Sequence, residues 1–149
     1  MRIADFLAPA DVKIDVASTD KKKLLAELAR EAAAKIGIGA GCIAAELLKR
    51  EELGSTGVGG GVAMPHARFQ QAKAPFGLLA RLKKPIDYDA VDGKPVDIVS
   101  LLLLPEGSGD EQQLGALASI AGKLRTPAVT AALRRARDSM DMYRILTSD

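Results

Sequence analysis

Apolar residues recur with two periods along this chain, and the change of period separates predicted strands from predicted helices. Val12–Val16 alternates apolar and polar residues, as a half-buried strand does. In residues 24–36 the apolar positions recur every three or four residues, which predicts an amphipathic helix. Gly37 can end this helix. Three polar residues are candidates to cap its first amides: Ser18, Thr19 and Asp20.

The same helical spacing in residues 43–48 predicts a second helix that ends near Gly54. Three apolar segments then predict strands: residues 62–64, 76–82 and 96–104. A turn is expected at residues 92–95, DGKP, before the third of them. Because that segment is apolar without interruption, we expect a central strand covered by helices on both sides.

The pattern becomes helical again from Asp110 to the end of the chain. Thr126 and Pro127 are the expected N-cap and first residue of one helix, and residues 142–146 belong to the last. On the first of these helices an apolar face is predicted for Leu114, Leu117, Ala118, Ala121 and Leu124. No linker or repeat interrupts the pattern, so we expect one α/β domain over residues 1–149.

Composition and charge narrow the class of partner. The residues are 48% hydrophobic but only 3% aromatic, so aliphatic side chains must build the core. Lys and Arg number 21 against 19 Asp and Glu, a net charge of +2 that does not favour nucleic acid as a partner. The basic clusters at residues 21–23 and 134–137 are expected to be solvated helix faces, with docking of an acidic partner as the alternative.

The sequence also favours a cytoplasmic location. No apolar run approaches the roughly 18 residues of a membrane helix, and the first residues lack the apolar region of a secretory signal, so no membrane insertion is expected. Cys42 is the single cysteine, which fits a reducing compartment. Free cysteines are usually buried, so we expect Cys42 to pack against the apolar face of the second helix.

His66 is the only histidine in the chain and follows the glycine-rich segment GSTGVGGG. With one His and one Cys, a metal site is not expected, and no other cofactor is indicated. Neither a G-x-S-x-G nucleophile motif nor a G-x-x-x-x-G-K-[ST] phosphate loop is present. A structural histidine near a strand end remains an alternative to a catalytic one.

The residues around His66 favour an anion as its ligand. Glycines let backbone amides approach an anion, and in an extended segment a residue two positions after His66 projects to the same side. The candidate phosphate-stabilising groups are the amides of Gly60 and Gly61, the hydroxyls of Ser55 and Thr56, and the guanidinium groups of Arg50 and Arg68. An imidazole is mostly unprotonated at neutral pH, so these residues predict a histidine that carries a phosphoryl group.

The segment LLKREELGSTGVGGGVAMPHAR resembles the active-site segment of the enzyme IIA components of the phosphoenolpyruvate-dependent phosphotransferase system. The fructose and mannitol class, and within it the nitrogen-related branch, is the most similar, and the resemblance runs the whole length. It implies a mixed β-sheet packed between helices and a phosphotransferase whose His66 accepts a phosphoryl group on Nε2 from an HPr-type phosphocarrier. Arg50 then matches the active-site arginine, and Ser55, Thr56 and Gly57 match the loop.

Three positions depart from that family's pattern. Gln113 stands where many members have a second active-site histidine, Gly60 replaces a common asparagine, and Ala67 replaces a common glycine. The Gln113 amide can hydrogen-bond a phosphate, and we count it among the phosphate-stabilising candidates, but it cannot be protonated.

The resemblance implies a regulator of other proteins that responds to its own phosphorylation, with target proteins that the sequence does not identify. A first alternative is a sugar-transport component that passes phosphate to a cysteine on a IIB domain. A second, motivated by Gln113, is an interaction module that is no longer phosphorylated.

Overall fold

The computed structural model describes residues 1–107 and 110–148, and there it shows a six-stranded sheet with helices on both faces. Two short 3-10 helices, Ile3–Asp5 and Pro9–Asp11, begin the chain. The strands are β1 (Val12–Val16), β2 (Gly57–Gly59), β3 (Val62–Ala63), β4 (His66–Phe69), β5 (Phe76–Ile86) and β6 (Val96–Pro105). The helices are α1 (Lys21–Ile36), α2 (Ala40–Glu52), α3 (Asp110–Leu124), α4 (Pro127–Arg135) and α5 (Ser139–Thr147).

The sheet is mixed, with the strand order β1-β5-β6-β3-β2, and β4 also pairs with β6. Strand β1 runs parallel to β5, and both β3 and β4 run parallel to β6. The β5–β6 and β2–β3 pairs are antiparallel. The predicted α/β class with a mixed sheet between helices is confirmed.

Strand β6 is the central strand that its continuous apolarity predicts. Its side chains alternate between two buried clusters because successive residues of a strand point to opposite faces. Val99, Leu101 and Leu103 pack with residues of α1 and α2. Ile98, Leu102 and Leu104 pack with residues of α3, α4 and α5 on the other face. Strand β6 therefore packs against both helical layers, one on each face of the sheet.

The predicted helix ends are largely confirmed. The carboxylate of Asp20 accepts the backbone N–H of Lys23 at 2.8 Å at the start of α1, and Gly37 ends that helix with a φ of 74°. Thr126 directly precedes α4, but its hydroxyl donates to the carbonyl of Gly122 at 3.0 Å. Thr126 and Pro127 are thus the N-cap and first residue of α4, as predicted, although the Thr126 hydroxyl bonds to the end of α3 and not to the first amides of α4.

Some predictions from the apolar pattern are wrong. Cys42 is exposed, because Ile43 and Leu47 occupy the buried face of α2. On α3, Leu114 is 62% exposed, while Gln113, one position earlier, is buried in line with Ala116 and Ile120. The last helix also begins earlier than predicted, and the short strands β2 and β4 had no apolar alternation to predict them. Within the described residues no helix is long and apolar enough to cross a membrane.

Replacing Gly57 by alanine tests the packing of the glycine-rich segment. A Cβ at Gly57 would lie 2.8 Å from both Cα and Cβ of Ala90, so Gly57→Ala should destabilise the protein by about 1–3 kcal/mol. Urea denaturation followed by circular dichroism measures this. In the control Gly41→Ala, on α2, the added Cβ meets nothing within 4 Å, and a gain of up to about 1 kcal/mol is expected. Equal midpoints for Gly57→Ala and the wild type would contradict the close approach.

Candidate active site

The single imidazole lies in a pocket of about 500 Å³ formed by α2, β4, the end of β6 and α3. Arg50 reaches it from the last turn of α2, while His66 and Arg68 reach it from β4. Along β4, His66 is half-buried, Ala67 is buried and Arg68 is exposed, so His66 and Arg68 share a side of the strand. The structure thus brings three of the sequence-predicted site residues together.

One backbone hydrogen bond sets the state of the His66 ring. Nδ1 of His66 lies 2.9 Å from the carbonyl oxygen of Met64. A carbonyl oxygen only accepts hydrogen bonds, so the neutral ring carries its hydrogen on Nδ1. The carbonyl of Pro65, between these two residues, accepts the N–H of Leu102 at 3.0 Å and fixes the chain at that point. Nε2 is therefore the nitrogen with a free lone pair, the form that a nucleophile requires.

Cations outnumber anions in the pocket. Lys49, Arg50 and Arg68 line it together with the carboxylates Glu46 and Glu106, an excess of one positive charge. Over residues 1–107 and 110–148, no ion pair within 4 Å joins any two of these five side chains. The cations are thus not neutralised by the pocket's own carboxylates, and a bound anion can contact them.

One exposed leucine lines the pocket, and a second lies on a helix that lines it. Leu53 lines it and is 85% exposed, and Leu117 on α3 lines it too. Leu114, 62% exposed, lies on the same helix almost one turn before Leu117. Large apolar side chains clustered at the surface mark sites of protein association. Leu114 was predicted on the buried face of α3 because its spacing from the other apolar residues fits that face as well.

The two predicted hydroxyl donors point into the loop after α2. Thr56 is 3% exposed, and both its N–H (2.9 Å) and its hydroxyl donate to the carboxylate of Glu51. The Ser55 hydroxyl donates to the carbonyl of Tyr88 at 3.3 Å and accepts the N–H of Gly57 at 3.0 Å. Neither Ser55 nor Thr56 lines the pocket, so in this structure both hydroxyls hold the loop together.

Gly60 and Gly61 do not line the His66 pocket either. The Gly60 N–H donates to the carboxylate of Asp92 at 3.0 Å, and this bond is the main reason that the pKa of Asp92 is lowered. The Gly60 carbonyl accepts a bond of 2.7 Å from Arg134 of α4. Arg134 also pairs with Asp97 at 3.0 Å, so this residue of the basic cluster is exposed, as predicted, and in addition connects α4 to the glycine-rich segment.

Gln113 is also held away from the pocket. Its side chain is 2% exposed, and its amide nitrogen donates to the carbonyl of Pro105 at the end of β6. The bond ties α3 to the sheet near Leu104, which does line the pocket. Across the described residues no three His, Cys, Asp or Glu side chains are grouped to hold a metal ion.

Two residues of this region were missed by sequence analysis: Glu51 and Tyr88. The Glu51 side chain is only 6% exposed, and its Oε1 forms an ion pair with Nζ of Lys21 of α1 at 2.8 Å. Tyr88 is fully buried, with its hydroxyl 3.0 Å from that of Thr56. Burial is the main cause that raises the pKa of Tyr88, and the charge of Glu51 also raises it. In the sequence, the one indication of a role for Glu51 was its position directly after Arg50, a predicted site residue.

Comparison with known proteins identifies the family. Residues 5–149 match the family described as the phosphoenolpyruvate-dependent sugar phosphotransferase system, EIIA 2. The chain belongs to this family. EIIA proteins are phosphotransfer components that act through a phosphohistidine and interact with phosphocarrier proteins and IIB partners. The chain is therefore a phosphotransferase component.

Curated and solved EIIA relatives span almost the whole chain. A nitrogen regulatory protein of Bradyrhizobium diazoefficiens is 44% identical over 146 residues, 98% of this chain and 95% of that one. A nitrogen regulatory protein of Pseudomonas aeruginosa is 35% identical over 98% of this chain and 95% of its own. The crystal structure of IIA-Ntr from Neisseria meningitidis superposes with a TM-score of 0.92 at 32% identity, covering 97% and 99% of the two chains.

The raised pKa of Tyr88 predicts how stability changes at high pH. Above its ordinary value of about 10, the unfolded chain ionises this phenol while the folded protein keeps it neutral, so stability falls as the pH rises further. The chain has two tyrosines and no tryptophan, so phenolate absorbance near 295 nm reports them cleanly. We expect the Tyr88 phenolate to appear only with unfolding, and Tyr88→Phe to remove that step. A Tyr88 phenolate near pH 10 in the folded protein would contradict this burial.

Proposed function

We propose that His66 accepts a phosphoryl group on Nε2 from an HPr-type phosphocarrier in the cytoplasm, and that the protein regulates target proteins according to its phosphorylation. The hydrogen bond from Nδ1 of His66 to the carbonyl of Met64 carries the proposal, because it places the hydrogen of the neutral ring on Nδ1 and leaves the Nε2 lone pair to react, in a pocket with excess positive charge. The regulatory role is supported by the nitrogen regulatory proteins among the relatives.

The proposed transfer exchanges one phosphorus–nitrogen bond for another. The Nε2 lone pair attacks phosphorus, the bond to the carrier's imidazole breaks, and its electron pair returns to that ring. Because Nδ1 keeps its hydrogen, the phosphorylated His66 ring becomes positively charged, and the carbonyl oxygen of Met64 stabilises this charge. Arg50 and Arg68 supply positive charge to the phosphoryl oxygens. Since the two bonds are of one kind, transfer is reversible.

The surface around the pocket fits a protein donor. Leu53 and Leu117 line the His66 pocket and Leu114 is exposed on the same helix as Leu117, so apolar surface is available near the pocket, as an association site for a carrier needs. A phosphoryl group brings about −1.5 to −2 charges, and the His66 ring that carries it gains one positive charge, so the pocket's excess of one positive charge is largely cancelled. Target proteins that contact the same surface would then distinguish the two forms by the lost positive charge and the exposed phosphoryl oxygens, which is the basis of the proposed regulation.

Phosphorylation by a reconstituted pathway tests the proposal. With enzyme I, an HPr-type carrier and labelled phosphoenolpyruvate, we expect one acid-labile label per chain, and none in His66→Ala. Arg50→Ala should slow transfer by about 10²-fold because it removes charge stabilisation from the transition state. Arg135→Ala removes an exposed cation outside the pocket and should transfer at the wild-type rate. Thermal melting of each variant separates slow transfer from unfolding.

The same experiment distinguishes the alternatives. Persistent label in His66→Ala, or no label in the wild type, would overturn the proposal, and the latter result favours an interaction module. Passage of the label to a cysteine of a IIB domain would favour a sugar-transport component. The mannitol IIA protein of Escherichia coli, solved in complex with its phosphorylated IIB, shares this fold with a TM-score of 0.76 at 12% identity.

A further inference from the structure

A buried carboxylate lies next to the pocket without lining it. The Glu51 side chain is 6% exposed at the end of α2, directly after Arg50. Burying a carboxylate is costly unless several donors compensate it. Its position therefore raises the question of what its hydrogen bonds hold in place.

Four donors from three parts of the chain converge on Glu51. Lys21 of α1 approaches Oε1 to 2.8 Å, and the Thr56 N–H donates to the same oxygen at 2.9 Å. The Thr56 hydroxyl donates to Oε2, and the Tyr88 hydroxyl is 3.5 Å from Oε2. The Lys21 ammonium also lies 4.6 Å from the centre of the Tyr88 ring. Two of these four bonds end on Thr56, so the cluster chiefly fixes that residue.

From Thr56 a series of hydrogen bonds reaches the nucleophile. The Thr56 carbonyl accepts the N–H of Met64 at 2.9 Å. The Met64 carbonyl in turn accepts from Nδ1 of His66 at 2.9 Å. Glu51 is therefore connected to the imidazole through the Thr56 and Met64 peptide groups, and a shift of Thr56 would move the carbonyl that orients the ring.

The same cluster also shapes the loop that holds Arg50. The Gly54 N–H donates to the Glu51 carbonyl at 3.1 Å, and the Arg50 guanidinium donates to the Gly54 carbonyl at 2.8 Å. The loop from Gly54 to Thr56 is thus tied at both ends to Glu51, by its main chain at one end and by its side chain at the other. Both the nucleophile and the anion-binding arginine depend on this loop.

We propose that Glu51 is a positioning residue for phosphoryl transfer, which sets the geometry between Arg50 and His66 by anchoring Thr56. This inference rests on the proposed function of His66. It assigns Thr56 a positioning role through Glu51, in place of the direct contact with phosphate that the sequence suggests. Positioning of this kind acts on the rate of transfer, because small displacements of reacting groups reduce the rate steeply.

Glu51→Gln compared with Glu52→Gln gives the kinetic test. Glutamine keeps the shape of Glu51 but leaves Lys21 without its counter-charge and directs an NH2 group at Thr56. We expect kcat for phosphoryl acceptance to fall at least about tenfold, with KM for the phosphorylated carrier changed less than about twofold, because Glu51 is buried away from the docking surface. Glu52 is exposed on the same turn, and its variant should retain the wild-type kcat.

A second pair of variants keeps the test valid if Glu51→Gln does not fold. Thr56→Ser retains the hydroxyl that donates to Glu51 and should transfer at close to the wild-type rate, whereas Thr56→Val removes it at similar volume and should be slow. Wild-type kcat in Glu51→Gln or in Thr56→Val would overturn the positioning role while leaving the proposed function intact.

Amide hydrogen exchange provides a readout that needs no phosphoryl donor. In Glu51→Gln or Thr56→Val, the N–H groups of Thr56 and Met64 should exchange at least about tenfold faster, while the N–H of Leu102 in β6 keeps its protection. If the wild type took no label, the proposed function would fail, and this measurement would still decide whether Glu51 anchors Thr56 and Met64. Unchanged exchange at both amides, or equal acceleration at Leu102, would overturn it.

Discussion

The hydrogen bond from Nδ1 of His66 to the carbonyl of Met64 is the interaction on which the rest of the site depends. It is possible because β3 and β4 follow one another along β6 in a single register, with Ala63 opposite Val99 and His66 opposite Leu102. Met64 and Pro65 lie between the two strands, and the Met64 carbonyl contacts the His66 ring. The tautomer of the His66 ring is thus set by strand pairing with the central strand β6.

The cations of this region fall into two groups: those that are available to a bound anion and those that are paired within the protein. Arg50 and Arg68 line the His66 pocket without an ion pair to its carboxylates. Outside the pocket, Lys21 is paired with Glu51 and Arg134 with Asp97. A cation that is paired with a carboxylate attracts a phosphate less strongly than an unpaired one. The strongest attraction for an anion is therefore in the His66 pocket. The glycine-rich segment contributes to this internal pairing and not to the pocket, since Asp92 and Arg134 bond to Gly60.

The sequence predicted those features that depend on local patterns. The long helices, the central strand and the caps at Asp20 and Gly37 follow from periodicity and backbone preferences, and His66 stood out as the single imidazole. The roles of the amides and hydroxyls could not be predicted, because their partners lie far along the chain: Gly60 bonds to Asp92 and Arg134, and Ser55 to Tyr88. An exposed Leu114 beside a buried Gln113 likewise depends on how α3 is rotated against the sheet, which spacing alone leaves open.

Nitrogen NMR of the His66 ring before and after phosphorylation tests the central claim most directly. With one histidine in the chain, the two ring nitrogens can be assigned without ambiguity. We expect a neutral ring with hydrogen on Nδ1, and after phosphorylation a phosphorus–nitrogen coupling at Nε2. Hydrogen on Nε2 in the neutral ring, or phosphorus on Nδ1, would contradict it.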